Sequence, residues 1–133
     1  MSAPVPFRLT ALRSDVRTEL WRSFASLLRS YAAAASLNGV EHGVLDLTPG
    51  SLEIVVKGST LRVEYYPTLG RGVWSLTTKD KQERDKQERG TFELNADGTV
   101  ALDRSEFDMD HAAIHLVGLL TTAATLDRIE VPA

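Results

Sequence analysis

Asp108, His111 and His115 are the residues best suited by type and spacing to do chemistry. At i, i+3 and i+7 they fall within about 60° of arc on one face of a helix. Two imidazoles one turn apart can grip a divalent ion, and a carboxylate is a compatible third ligand. Asp108 and His115 would stand about 10 Å apart along the helix axis, so a single ion would strain to reach both. The expectation is therefore a weak divalent-metal site at most. The spacing lacks the glutamate of a zinc-protease helix. The plainer reading is a capping aspartate followed by two surface histidines.

Little else in the chain points to catalysis. His42 is a lone histidine in a loop. No serine or threonine is placed by the sequence beside a histidine and a carboxylate. Gly70-Arg71-Gly72 is too short for a phosphate loop and stands between strands rather than before a helix. No pair of carboxylates is set in an apolar context that would push their pKa values apart. There is no cysteine, which removes disulfides, thiolate ligands and thiol nucleophiles together. A non-catalytic protein is expected, with no cofactor beyond a weakly bound divalent metal.

The elements that position these residues are easier to read. Val16, Leu20, Phe24, Leu27, Leu28, Tyr31 and Ala35 form one stripe at helical spacing, predicting a helix over 15–37. Ser14 suits its N-cap, Asp15 its first turn, and Asn38-Gly39 its stop. Trp21 falls at the edge of the stripe and is read as a flank of the core. A second helix is predicted over 108–126, with Ala113, Leu116, Val117, Leu120, Ala123 and Ala124 on its apolar face. Asp108 suits its N-cap, and Asp110 also suits its positive end.

Between the helices the apolar period changes to two, as expected of half-buried strands with one wet face. Leu52, Ile54 and Val56, then Leu61, Val63 and Tyr65, alternate with polar residues. Strands are predicted at 43–48, with Leu45 and Leu47 inward, then at 51–57, 60–66, 73–78, 91–95 and 99–102. Arg128-Ile129-Glu130-Val131 could add an edge strand or remain a tail. Short turns join the strands, which favours an up-and-down antiparallel meander. Asp80-Lys81-Gln82-Glu83-Arg84 is repeated as Asp85-Lys86-Gln87-Glu88-Arg89. Neither copy has an apolar residue to bury, so 79–90 is read as a charged, solvated extension: a long hairpin, a loop or a brief helix.

Tyr65 and Tyr66 are adjacent and must face opposite ways. With Tyr65 in the core, Tyr66 faces water beside Arg62 and Glu64. If Trp74 shares that outer face, Tyr66, Trp74, Arg62 and Glu64 make a partner-binding patch. In the other phase Trp74 and Leu76 point inward, and Val73 and Ser75 point outward.

Composition fits one soluble domain. The 133 residues are 43% hydrophobic and 25% charged, with a net charge of −3. Residues 1–13 read as an N-terminal extension without the features of a signal peptide, and no run is long enough to span a membrane. A cytoplasmic location is the default expectation. Residues 11–37 carry four arginines against two acidic residues, and 91–133 carry two arginines against eight. This asymmetry disfavours nucleic acid, which needs a concentrated basic face. A protein partner is expected, and self-association is compatible with the same face.

The order helix, antiparallel meander, helix resembles the frataxin-like fold over roughly 15–126. The run Gly72-Val73-Trp74-Ser75-Leu76-Thr77 is similar to that family's valine–tryptophan strand, and Asp103-Arg104-Ser105 to its entry into the last helix. The resemblance implies an outward Trp74 that helps contact iron–sulfur assembly proteins. It does not extend to the family's acidic iron-binding ridge, because the first helix here is net positive.

The expectation is thus a single α+β domain: an N-terminal helix, an antiparallel meander of about five or six strands and a C-terminal helix. Both helices lie on one face of the sheet. The function expected first is a non-catalytic binding or accessory module that uses the open face. The alternative is a frataxin-like metal-binding protein with a weak site at the start of the last helix.

Overall fold

The computed structural model describes the backbone of residues 5–36, 43–56, 58–79 and 85–129, with side chains at 15–35, 43–45, 48–56, 58–78 and 86–120. Helix α1 (Val5–Ser36) leads into seven strands: β1 (Gly43–Thr48), β2 (Ser51–Val56), β3 (Ser59–Tyr66), β4 (Arg71–Lys79), β5 (Asp85–Leu94), β6 (Thr99–Leu102) and β7 (Ser105–Asp108). Helix α2 (Met109–Ile129) closes the order. The strands form one sheet in sequence order, each pair antiparallel. No described helix is long and apolar enough to cross a membrane.

Alternation decides which face is covered. In β3, Leu61, Val63 and Tyr65 are buried while Arg62 and Tyr66 are exposed. The register carries that parity across the sheet, through Leu52 and Ile54 in β2, Trp74 and Leu76 in β4, Phe92 and Leu94 in β5, and Val100 and Leu102 in β6. Phe24 and Leu28 of α1, with Ala113, Leu116 and Leu120 of α2, complete one continuous core against this face. Both helices therefore cover the same side.

A reciprocal pairing lies at the centre of the sheet. Gly72 stands opposite Phe92, and Trp74 stands opposite Gly90. Gly-Val-Trp on β4 thus meets Gly-Thr-Phe on β5, each aromatic lying across the other strand's glycine. A Cβ at Gly72 would come within 2.4 Å of the Phe92 ring and 2.3 Å of the Glu64 carbonyl oxygen. A Cβ at Gly90 would come within 2.4 Å of Trp74 Nε1 and 2.3 Å of Asp103 Oδ1. Because Gly72 has no side chain, Tyr65 from one neighbouring strand and Phe92 from the other stack above it, with ring centroids 6.0 Å apart. Trp21 stacks on Tyr65 at 5.7 Å, and Phe24 packs against both Phe92 (5.6 Å) and Trp21 (6.4 Å). Such offset pairs add to the burial of the rings themselves.

Several boundaries differ from the sequence reading. α1 begins at Val5, so Ser14 lies inside the helix and most of the stretch read as an extension is helical. Pro6 in the first turn is no obstacle, because the amide it lacks has no partner there anyway. Val16 is 42% exposed and Trp21 only 4%, so Trp21 belongs to the core rather than to its flank. The Arg17 guanidinium donates to the Pro67 carbonyl at 3.2 Å, and the Trp21 indole donates to the Pro49 carbonyl at 2.8 Å. These two bonds tie α1 to turns at one end of the sheet.

In β1 the register pairs Val44 with Ile54, so Val44 packs on the core and Leu45 is 54% exposed. The expectation that Leu45 faces inward is corrected: a one-residue shift of phase reverses every side chain in a strand. The side chain of Leu47 lies outside the described residues, as do Asn38-Gly39 and the segment 130–133. β7 is a strand where only a helix approach was expected. β5 begins at Asp85, so the second copy of the repeat is paired with β4 in a long hairpin, while the first copy, 80–84, lies outside the described residues. Arg128 and Ile129 are helical rather than strand.

Candidate functional site

The face turned away from the helices is lined by the complementary residues of each strand. One row crosses the sheet as Leu45, Glu53, Arg62, Ser75 and Arg89. The next runs Glu64, Val73 and Thr91. The third places Tyr66 opposite Arg71 and Arg71 opposite Glu93. Between the first two rows lies a groove of about 610 Å³. Arg62 and Glu64 form one wall, Gln87, Arg89 and Thr91 the other, and Val73 and Ser75 lie between them.

Small side chains on β4 between long ones on β3 and β5 create this hollow. Arg62 Nε lies 3.2 Å from Glu64 Oε1, and its terminal nitrogen lies 3.7 Å from Glu53 Oε2. The Tyr66 hydroxyl donates to Glu64 Oε2 at 3.3 Å. Arg89 donates to Gln87 Oε1 at 3.1 Å and makes no ion pair among the described residues. These ion pairs are open to water on the Arg62 side and half-buried at Glu53 and Glu64, and such partly solvated pairs add little to stability.

Trp74 borders this groove together with Gly90, but its side chain is turned to the covered side. It is 5% exposed and shares the core with Val63, directly opposite on β3. Of the patch expected from Tyr66, Trp74, Arg62 and Glu64, the outward place of the Trp74 side chain is corrected: Val73, 39% exposed, takes it beside Tyr66, at 43%. The partner-contact role that the frataxin resemblance implied for Trp74 does not suit an inward side chain. Its indole nitrogen is buried with no hydrogen-bond partner. Arg89, Gln87 and Thr91 were missed because Asp85–Arg89 is polar at every position and shows no alternation. The signal that could have found them was the register imposed by Gly90-Thr91-Phe92.

The start of α2 is built as an N-cap. Asp108 Oδ1 accepts the His111 backbone N–H at 2.7 Å, and Asp108 Oδ2 lies 2.7 Å from His111 Nδ1. These bonds, with the backbone bond largest, hold the Asp108 carboxyl below its usual range. His115 stacks on Phe107 at 5.5 Å. Asp108 and His111 thus come together, and His115 turns to a ring instead. Among the described residues, no three His, Cys, Asp or Glu side chains converge as a metal site would require. Tyr31 of α1 donates to Asp110 Oδ1 at 2.9 Å, which raises its phenol. His42 lies outside the described residues.

No protein-family model, curated protein or solved structure matches this chain.

Proposed function

We propose that the protein is a non-catalytic binding module whose open sheet face receives an extended segment of a protein partner. The observation that carries this reading is the groove between Arg62 and Arg89, with Val73 and Ser75 between its walls, on a face that neither helix covers. Its composition suits a peptide. Arginine is enriched where proteins meet, and an apolar side chain, here Val73, set within a charged rim is the usual anatomy of such a patch. Charges of both signs, Arg62 and Arg89 with Glu64, favour a partner segment that itself carries both signs.

Site-specific photo-crosslinking in cells tests the reading. A photoreactive residue at Val73 is expected to yield a discrete adduct with another protein. The same residue at Ser23, on the exposed side of α1, is expected to yield none. Arg89→Glu should abolish the Val73 adduct while leaving the folded spectrum unchanged. The proposal fails if both positions give the same products, or if the Val73 adduct survives Arg89→Glu.

A further inference from the structure

A second groove, of about 500 Å³, lies between α1 and the β1–β2 turn, away from the open face. Trp21, Arg22, Ala25 and Arg29 line it from the helix, and Thr48, Pro49, Ser51 and Leu52 from the turn. Arg22 and Arg29 are seven residues apart, so they rise from nearly the same face of α1, about 10 Å apart along its axis, a span that two long arginine stems can close where the shorter Asp108 and His115 side chains would strain. Two arginines thus line one hollow. Each carries five N–H donors in a planar fork, a geometry suited to oxyanions and not used up by one partner.

The turn contributes a further donor. Thr48 Oγ1 lies 2.8 Å from Ser51 Oγ and accepts the Gly50 N–H at 3.2 Å. Two hydroxyls own two protons, and the bond between them uses one. The other proton has no acceptor among the described residues, whichever hydroxyl donates within the pair. Trp21 Nε1 is already committed to the Pro49 carbonyl, so Trp21 offers apolar surface rather than a hydrogen bond. Both arginines already have partners; in the Glu19–Arg22 pair, at 2.6 Å, both side chains are about two-thirds exposed. A pair so open to water yields readily to a better-placed anion.

We infer that this groove binds a tetrahedral oxyanion, as inorganic phosphate or as the phosphate of a small monoester. Arg22 and Arg29 clamp the anion, the Thr48–Ser51 hydroxyls donate to it, and Ala25, Pro49 and Leu52 contact any organic body. The inference does not depend on the open-face proposal, because the two grooves share no residue.

Calorimetric titration of the unaltered chain with inorganic phosphate, at ionic strength held constant with sodium chloride, reads the site directly. Saturable one-to-one binding is expected. Arg29→Gln and Arg22→Gln should each weaken it about tenfold, the scale of one charge-assisted hydrogen bond. Thr48→Val should weaken it less. Phenyl phosphate separates the two sources: tighter binding than inorganic phosphate marks a monoester site, and equal binding marks the free anion. Emission of Trp21 in a Trp74→Phe background gives an independent readout beside the groove. Heats no different from those of the salt control, or undiminished binding by both arginine variants, would overturn the assignment.

Discussion

Gly72 and Gly90 occupy mirrored places in the β4–β5 ladder, yet their surroundings differ in hardness. At Gly72 a methyl group would meet the Glu64 carbonyl oxygen, part of the backbone of β3, as well as the Phe92 ring. At Gly90 the three nearest atoms all belong to side chains, those of Asp103 and Trp74. A backbone held in a ladder on both sides cannot yield, whereas a turn carboxylate can rotate. Gly72 also underlies the contact of Tyr65 with Phe92, which joins the two aromatics to Trp21 and Phe24. Close approach of an aromatic to a strand glycine is therefore one device with two strengths, set by what lies behind the ring.

The largest expected effect follows from that difference. Gly72→Ala should cost more than about 3 kcal/mol in urea unfolding, or prevent folding, as overpacking of a rigid core does at its upper range. Gly90→Ala should cost roughly 1–3 kcal/mol. Asp103→Gly should recover part of that cost in the double variant, because the two sites share a contact. Equal costs for the two alanine variants would break the comparison.

The two tryptophans sharpen it. Trp21→Phe deletes a 2.8 Å bond and leaves the Pro49 carbonyl without its donor, whereas Trp74→Phe deletes a nitrogen that has no partner. Trp21→Phe should therefore be the costlier substitution by about 1 kcal/mol in the same assay. Each single-tryptophan variant should show blue-shifted emission, since both indoles are buried. Red-shifted emission from Trp74 would return it to the open face.

The smallest effect is expected at the start of α2. Asp108→Ala should lower the melting temperature modestly, through loss of the N-cap. The Asp108 carboxyl is held down in the folded state, so its contribution is present above the ordinary carboxylate pKa near 3.9 and is lost as pH falls through the lower folded value. The difference in melting temperature between the parent and Asp108→Ala should accordingly narrow on acidification. A difference independent of pH would mean that the carboxylate does not cap the helix.

The strands and helices were legible wherever one face is apolar and the other polar. Leu61, Val63 and Tyr65 announced β3 and its covered side, and Leu116 and Leu120 the buried stripe of α2. Legibility failed where that contrast was missing. Val44 and Leu45 are adjacent apolar residues, so β1 could be read in either phase, and only pairing with Ile54 decides it. Ser105–Asp108 is too short and polar to signal a strand. The site was half visible: Tyr66, Arg62 and Glu64 follow from the parity of β3. The opposite wall depends on β5, whose polar run hid its pleat. Trp74 could not be placed from composition, because a tryptophan suits either face. Its neighbours Gly72 and Gly90, which make room for it on the covered side, become informative only when paired.

The duplicated pentapeptide has a consequence of its own. Five is an odd number, so sliding the chain by one copy would turn every following side chain of the ladder over. Phe92 would then point to water, and the stacked rings would lose a member. Identical words in tandem are thus not interchangeable in a pleat, and the aromatics downstream act as a proofreader that admits a single alignment. Slippage of the coding segment would lengthen or shorten the far end of the hairpin by whole copies, leaving the hydrophobic interior unchanged.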